Sequence, residues 1–181
     1  MENHLGQERM DRMLEEMAGR DLWQELFDLR DEQRSNREKS VWLVKGDQLP
    51  LENNAQGLMK WYLHPNLNAP CISTMSIFVQ EIPPGSRSGR MVHPGNVVLY
   101  IIEGEGYNLI DGQKFTWGEG DTVQLPIRAN GSVFQHFNTS ADVTARFIAS
   151  EPNLVRSTGV DRGSVLEQLE VSPEYQKPSA K

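Results

Sequence analysis

A histidine, a tight turn and an apolar strand follow one another in the stretch GRMVHPGNVVLYIIEGEG, residues Gly89–Gly106. Pro94-Gly95 supplies the residues that a type II turn takes at its two central positions. The apolar run after the turn, residues 97–102, has the length of a strand and is far too short to span a bilayer. The stretch therefore predicts two strands joined by a turn, with His93 beside that turn.

Segments of strand character continue on both sides of this stretch. Met75, Ile77 and Val79 alternate with the polar residues Thr74, Ser76 and Gln80, which is the period of a half-buried strand. Asp111-Gly112 lies between two short strand-like segments and is a strong signal for a two-residue hairpin. Further segments of this kind cover residues 122–125, 132–138 and 143–150. Strands this short, separated by turn residues, favour an antiparallel sandwich or barrel.

The first part of the chain has a helical period instead. Apolar residues fall on one helical stripe at Met10, Met13, Leu14 and Met17. Asp21 with Gln24 resembles a capping box that opens a second helix. We expect the apolar residues of that second helix, Trp23 and Leu26 among them, to face inward.

These patterns divide the chain into three parts. Residues 1–39 form an N-terminal helical segment, and residues 40–151 form the β domain. Residues 152–181 form a C-terminal tail, in which Ser164 with Glu167 is expected to cap one or two turns of helix. The sequence has no internal repeat, so it predicts one barrel and not two.

Composition excludes several classes of partner. The chain has 181 residues, with 18 Lys and Arg against 25 Asp and Glu, which gives a net charge of −7. An acidic chain without a basic run is a poor match for nucleic acid or for an anionic membrane surface. Cys71 is the only cysteine, so no intrachain disulfide is expected, and the polar start has no signal-type apolar region. We therefore expect a cytoplasmic protein that binds neither nucleic acid nor membrane.

Two sets of side chains are expected to meet inside the β domain. Side chains two apart on a strand face the same way, so Met91 shares a face with His93. For the same reason Phe134, His136 and Asn138 share a face. A barrel that brings these faces together places two imidazoles beside a thioether and a phenyl ring.

Residues 89–149 resemble the cupin superfamily, whose small jelly-roll barrels usually hold one divalent metal. The resemblance lies in three stretches: HPGNVVLYIIEGEGYNLIDGQ, GEGDTVQLP and FQHFNTSADVTARFI. Within the superfamily the chain is most similar to gentisate-dioxygenase-like proteins, which hold Fe(II) with three histidines and cleave an aromatic ring with O2. The resemblance implies an all-β fold, a single antiparallel jelly-roll barrel with an N-terminal helical extension. Since many cupins pair through such additions, it also implies a homodimer.

The chain departs from the metal-binding pattern of these relatives. Met91 stands where the first histidine is expected, Val97 at the carboxylate position, and Phe134 at the ligand position of the second motif. His93 and His136 are retained. A thioether is a poor ligand for Fe(II) and a phenyl ring is none. The resemblance therefore implies a weakened or lost metal site, in which His93 and His136 are weak ligands at most for Fe, Mn, Ni or Zn.

Three hypotheses for function follow from these residues. The first is a catabolic cupin enzyme acting on a small carboxylated or aromatic compound, with His93 and His136 as acid and base or as weak ligands. The second is an Fe(II) ring-cleaving dioxygenase in which other groups, such as Gln135, His64 or a substrate carboxylate, replace the missing ligands. The third is a non-catalytic binder of a small molecule. The substitution of apolar residues at ligand positions favours the first and third.

The residues expected to bind the ligand are the apolar ones on the inward faces and a few polar ones nearby: Met91, Val97, Leu99, Phe134, Asn138, Arg90 and Arg128. An arginine at the rim of the barrel is suited to clamp a carboxylate, although a solvated surface position is an equally good interpretation of each. Jelly-roll barrels carry many chemistries, so the substrate itself is not set by the fold.

Overall fold

The structure, a computed structural model, describes residues 2–67 and 69–176 and divides into two compact units, Met1–Ser40 and Val41–Lys181. The elements in chain order are α1 Glu2–Met17, α2 Leu22–Glu38, β1 Glu52–Asn54, β2 Gly57–Leu63, β3 Met75–Ile82, β4 Arg90–His93, β5 Val97–Glu103, β6 Gly106–Ile110, β7 Gln113–Trp117, β8 Thr122–Leu125, β9 Ser132–Asn138, β10 Ala145–Pro152, α3 Val155–Thr158 and β11 Glu167–Glu170.

The first unit consists of the two predicted helices. Asp21 caps α2, because its side chain accepts a hydrogen bond from the Gln24 N–H at 3.0 Å. The prediction that the apolar residues of α2 face inward is wrong: no residue of α2 is buried, and Trp23 is 71% exposed. Two helices of this length have no interior in which to cover an apolar stripe. Within the described ranges, no helix is both long and apolar enough to cross a membrane.

The second unit is built from two antiparallel sheets, which confirms the all-β prediction. Six strands pair in the order β1-β2-β3-β10-β5-β8, and five pair in the order β11-β4-β9-β6-β7. From β3 onward the chain crosses between the sheets after almost every strand, and only β6 and β7 follow each other in one sheet. This alternation is the jelly-roll arrangement. The two sheets are not joined edge to edge into a closed barrel within the described residues.

Two turns position the strands. Asp111 and Gly112 have φ of 50° and 81°, and they join β6 to β7 as the hairpin signal predicts. Gly95, between β4 and β5, has φ of 93°, and a Cβ placed there would lie 1.9 Å from the carbonyl oxygen of Pro126. Only glycine fits this position, so the turn holds His93 at a fixed place beside the start of β5.

The hydrophobic core lies between the two sheets. The larger sheet contributes mainly the alternate residues of β5 and β10, such as Leu99, Ile101 and Phe147, which are at most 3% exposed. The smaller sheet contributes Trp117 and Phe134. Since side chains alternate along a strand, the inward faces of β5 and β10 continue beyond the core toward one end of the unit.

The C-terminal tail contains more structure than was predicted. A short helix is present, but α3 is a single turn at Val155–Thr158, whereas the helix was expected to begin at the cap pattern of Ser164 and Glu167. The tail then adds β11 to the smaller sheet, where Glu167 pairs with Val92 of β4. All four residues of β11 are exposed, and its sequence, EQLE, has a single apolar residue. Such a segment lacks the alternation of apolar and polar residues that predicts a strand. The last predicted tail residues, 177–181, lie outside the described residues.

Candidate functional site

A cavity of about 440 Å³ lies between the sheets, which is the size of a small-ligand pocket. It is lined by the larger sheet and its loops (Asn54, Ala55, Gln56, Met59, Trp61, His64, Pro65, Phe78, Gln80, Val97, Leu99, Leu125 and Glu151), by the smaller sheet (Met91, His93, Phe134, His136 and Gln168) and by the C-terminal segment (Val155, Val160, Arg162 and Leu166).

Six of the residues predicted from sequence lie in this lining. They are Met91, His93, Val97, Leu99, Phe134 and His136. The pairing of β4 with β9 sets Met91 directly opposite Phe134, and His93 opposite Ser132. The two predicted faces are therefore neighbours in one sheet, with the inward residues of β5 on the opposite wall.

His136 is held by a short chain of buried hydrogen bonds. Its Nδ1 lies 2.7 Å from Oδ1 of Asn108, and the same oxygen accepts the indole N–H of Trp117 at 2.9 Å. His136 is 3% exposed, and burial lowers its pKa to about 3. A histidine with so low a pKa stays neutral at ordinary pH and is a weak base.

His93 lies at the other end of the lining, in a polar cluster that it forms with Glu151 and Arg162. Its Nδ1 accepts the N–H of Gly95 at 3.0 Å, so the ring proton is on Nε2, which lies 3.4 Å from Oε2 of Glu151. Arg162 pairs with the same carboxylate and donates to the carbonyl of Gly95 at 2.6 Å. Each side chain of the cluster is 12–14% exposed.

The charge of Glu151 is compensated inside this cluster. Burial acts to raise the pKa of Glu151, but the hydrogen bond from His93 and the adjacent Arg162 guanidinium outweigh burial and lower that pKa below its usual value. The carboxylate is therefore ionised at neutral pH, and its charge is matched by Arg162. The cluster as a whole is close to neutral.

Three residues predicted to bind substrate lie outside the cavity lining. Asn138 donates to the carbonyl oxygens of Ile82 at 2.9 Å and Val143 at 2.8 Å, so its inward position is used to hold backbone. Arg90 faces away from Met91 on β4 and pairs with Glu170 at 3.0 Å. Arg128 pairs with Asp111 at the β6–β7 hairpin. Each has a structural partner elsewhere, and this corrects their predicted place in the pocket.

Sequence reasoning missed Glu151 and Arg162. Glu151 follows Ala149 by two residues on β10, so the alternation of buried residues in that strand contained a signal for its inward position. Arg162 follows α3, has a positive φ of 55° and does not belong to a helical or strand pattern in the sequence. Only the path of the C-terminal segment across the cavity brings it to Glu151.

The donor atoms of the site do not fit the metal that the resemblance implies. Among the described residues, no group of three or more His, Cys, Asp or Glu side chains is placed to hold a metal ion. Phe134, whose ring lies 5.0 Å from that of His136, and Met91, which lies opposite Phe134, supply no N or O donor. Both ring nitrogens of His93 already face other groups, and His136 offers a single nitrogen. A site for Fe(II) with three N or O ligands is not present in this arrangement.

Comparisons with known proteins agree with this fold. Residues 78–151 match the model of the cupin domain family Cupin_2. The polyketide cyclase RemF from Streptomyces resistomycificus superposes with a TM-score of 0.55 at 14% identity, covering 74% of this chain and 89% of that one. The vicilin from Solanum melongena superposes with a TM-score of 0.54 at 18% identity, covering 76% of this chain and 35% of that one. At such low identity these likenesses concern the fold alone.

Two curated relatives are named as dioxygenases. The chain is 26% identical over 106 residues to a 5-aminosalicylate 1,2-dioxygenase from Comamonas sp, which is 59% of this chain and 27% of that protein. It is 29% identical over 70 residues to a 1-hydroxy-2-naphthoate 1,2-dioxygenase from Nocardioides sp. (strain KP7), which is 39% of this chain and 18% of that protein. The similarity thus spans about a quarter or less of the length of either relative.

Proposed function

Since residues 78–151 form a cupin domain, we propose that the cavity of this chain binds a small aromatic compound. The observation that carries the proposal is the chemistry of the lining. Trp61 and Phe78 pack with their ring centroids 4.9 Å apart on one wall, and Phe134 lies on another. Aliphatic residues such as Val97 and Leu99 also line the cavity. Pockets of this kind bind flat apolar molecules and orient them with few polar groups.

The named relatives support an aromatic ligand. Both carry the name of an aromatic compound, an aminosalicylate and a hydroxynaphthoate. The similar region is a small part of each relative, and the donor atoms of this chain do not fit an iron site. We therefore propose binding of an aromatic compound and not dioxygenase chemistry.

Catabolic acid–base chemistry is a second candidate, and the contact between His93 and Glu151 favours it. Their 3.4 Å separation at the cavity wall suits the passage of a proton between them. His136 is the poorer partner in such chemistry because of its low pKa. Binding of an aromatic compound is the first step that either a binder or an enzyme must show.

Two adjacent valines provide a matched test of binding. Val97 faces the cavity and is 6% exposed, whereas Val98 faces solvent and is 45% exposed. We expect 2-naphthol, 2-naphthoate or salicylate to bind the wild-type chain in isothermal titration calorimetry. Val97→Trp is expected to weaken that binding by about tenfold or more, because its ring occupies ligand space, and Val98→Trp to leave it unchanged within about twofold.

Failure to bind any of the three compounds overturns the proposal, as does equal binding by both tryptophan variants. Thermal unfolding of each variant shows that it is folded. Val97→Phe, a smaller change, replaces Val97→Trp if the larger ring prevents folding.

A further inference from the structure

The hydrogen bonds around His136 determine which of its ring nitrogens carries the proton. The indole of Trp117 is a donor only, so the atom of Asn108 that it contacts at 2.9 Å is the amide oxygen. That oxygen also lies 2.7 Å from Nδ1 of His136 and cannot donate to it. Nδ1 therefore carries the hydrogen, and Nε2 of the neutral ring is a bare acceptor.

This acceptor lies in apolar surroundings. His136 lines the cavity, with its ring 5.0 Å from the ring of Phe134 and 4.8 Å from that of Phe147. No described residue donates a hydrogen bond to Nε2. Nε2 does not belong to the fully covered side-chain atoms that have no hydrogen-bond partner, so it can be reached from the cavity, and a ligand that brings a donor can bond to it.

The polar cluster of His93, Glu151 and Arg162 has less power to select a ligand. These side chains satisfy one another and the backbone of Gly95. Nε of Arg162 has no hydrogen-bond partner, but it is covered on all sides, so a ligand does not reach it. His136, in contrast, lines the cavity with a ring nitrogen that can only accept a hydrogen bond.

We propose that the cavity selects aromatic compounds that bear a hydroxyl or amino hydrogen, which donates to Nε2 of His136. Asn108 and Trp117 are positioning residues, because they fix the tautomer without touching the ligand. This inference rests on the proposed binding of an aromatic compound and specifies which class of aromatic compound binds.

Two ligands that differ by one methyl group separate the inference from the proposed function. 2-Naphthol carries a hydroxyl hydrogen, and 2-methoxynaphthalene is its methyl ether, which lacks one. At about pH 7, where a phenolic hydroxyl keeps its proton, we expect calorimetry to show 2-naphthol binding about tenfold or more tighter than the ether. Equal affinities overturn the inference and leave the proposed function intact. Binding of neither compound, nor of 2-naphthoate or salicylate, overturns both.

A change to phenylalanine inside and outside the cavity tests whether the preference belongs to His136. His136→Phe removes the acceptor and keeps a ring, so the ratio of the two affinities is expected to fall to about one. Tyr100→Phe removes a polar group from β5 at a side chain that is 46% exposed and outside the cavity lining, and the ratio is expected to stay at the wild-type value. A ratio that survives in His136→Phe, or disappears in Tyr100→Phe, contradicts the assignment.

A spectroscopic measurement on the wild-type chain does not depend on how the variants fold. Nitrogen-15 NMR distinguishes protonated from bare ring nitrogens in histidine. We expect His136 to show a protonated Nδ1 and a bare Nε2, and Asn108→Leu to lose this single tautomer. A protonated Nε2 in the wild-type protein overturns the inference.

Discussion

His136 can be buried because its side chain is neutral and one of its two ring nitrogens is hydrogen-bonded. Asn108 accepts from Nδ1, and the rings of Phe134 and Phe147 lie 5.0 Å and 4.8 Å from the imidazole. The neighbouring inward position, Phe134, offers no group that would stabilise an imidazolium. The same surroundings that make Nε2 an acceptor therefore oppose protonation of His136.

The first prediction concerns the pH dependence of stability. The pKa of His136 is about 3 in the folded chain against 6.5 for the unperturbed group, so the unfolded chain binds one more proton between these values. Stability is therefore expected to fall as the pH drops from about 6.5 toward 4, by as much as about 1.4 kcal/mol per pH unit from this residue. Urea unfolding at several pH values measures the effect.

His136→Gln supplies the comparison for this prediction. Glutamine can still donate to Asn108 but does not titrate, so the variant is expected to lose stability less steeply with falling pH than the wild-type chain. The difference between the two chains should be constant above about pH 7. Parallel pH profiles for the two chains would mean that His136 is protonated without cost.

Pairing of β4 with β9 determines which side chains share the floor of the cavity. Met91 lies opposite Phe134, and one residue further along Val92 lies opposite Val133. Directly opposed residues have close Cβ atoms, and the two pairs point to opposite faces of the sheet. Because of this register, Met91 and Phe134 occupy the two facing cavity positions at which a metal site would need N or O ligands.

The second prediction is that these two positions control metal binding. Met91→His with Phe134→His places two further imidazoles beside His136, and about one equivalent of Zn(II) or Ni(II) per chain is expected to remain after dialysis. Val92→His with Val133→His makes the same change on the opposite face and is expected to behave like the wild-type chain, which retains far less. Elemental analysis measures all three proteins. Stoichiometric metal in the wild-type chain would show that residues other than Met91 and Phe134 supply the missing metal ligands.

The C-terminal segment shows how an element without a sequence pattern contributes to the site. Its strand β11 is held by backbone pairing to β4, and Arg162 lies between α3 and that strand. The ion pair with Glu151 then joins the segment to β10. An isolated arginine in a polar tail becomes a cavity residue only through this path.

At the level of the whole molecule, core and cavity belong to one unit. Every residue of the cavity lining and of the hydrophobic core lies between Asn54 and Gln168, within the unit Val41–Lys181. The helices α1 and α2 belong to the other unit and expose apolar residues such as Trp23 and Leu26. This division suggests separate tasks, with ligand binding in the second unit and association in the first.

The third prediction is that residues 41–181 fold and bind without the helices. The unfolding midpoint of this fragment is expected to lie within about 5 °C of that of the full chain, and its affinity for 2-naphthol within about twofold. If the helices carry the predicted homodimer, sedimentation will show a dimer for the full chain and a monomer for the fragment. A fragment that aggregates or loses binding would show that the helices support the β unit.

Local patterns in the sequence were enough for strands β3 to β10, the hairpin at Asp111-Gly112, the cap at Asp21 and the inward faces around His93 and His136. These features depend on a period of two, on positive φ, or on groups a few residues apart, so the neighbouring residues contain the information. The tertiary structure decided three other features. It brought Glu151 and Arg162 to His93, it placed the proton of His136 on Nδ1, and it turned Asn138 toward backbone carbonyls. Each of these depends on which donor meets which acceptor across the two sheets, and that follows from the packing of segments distant in the chain.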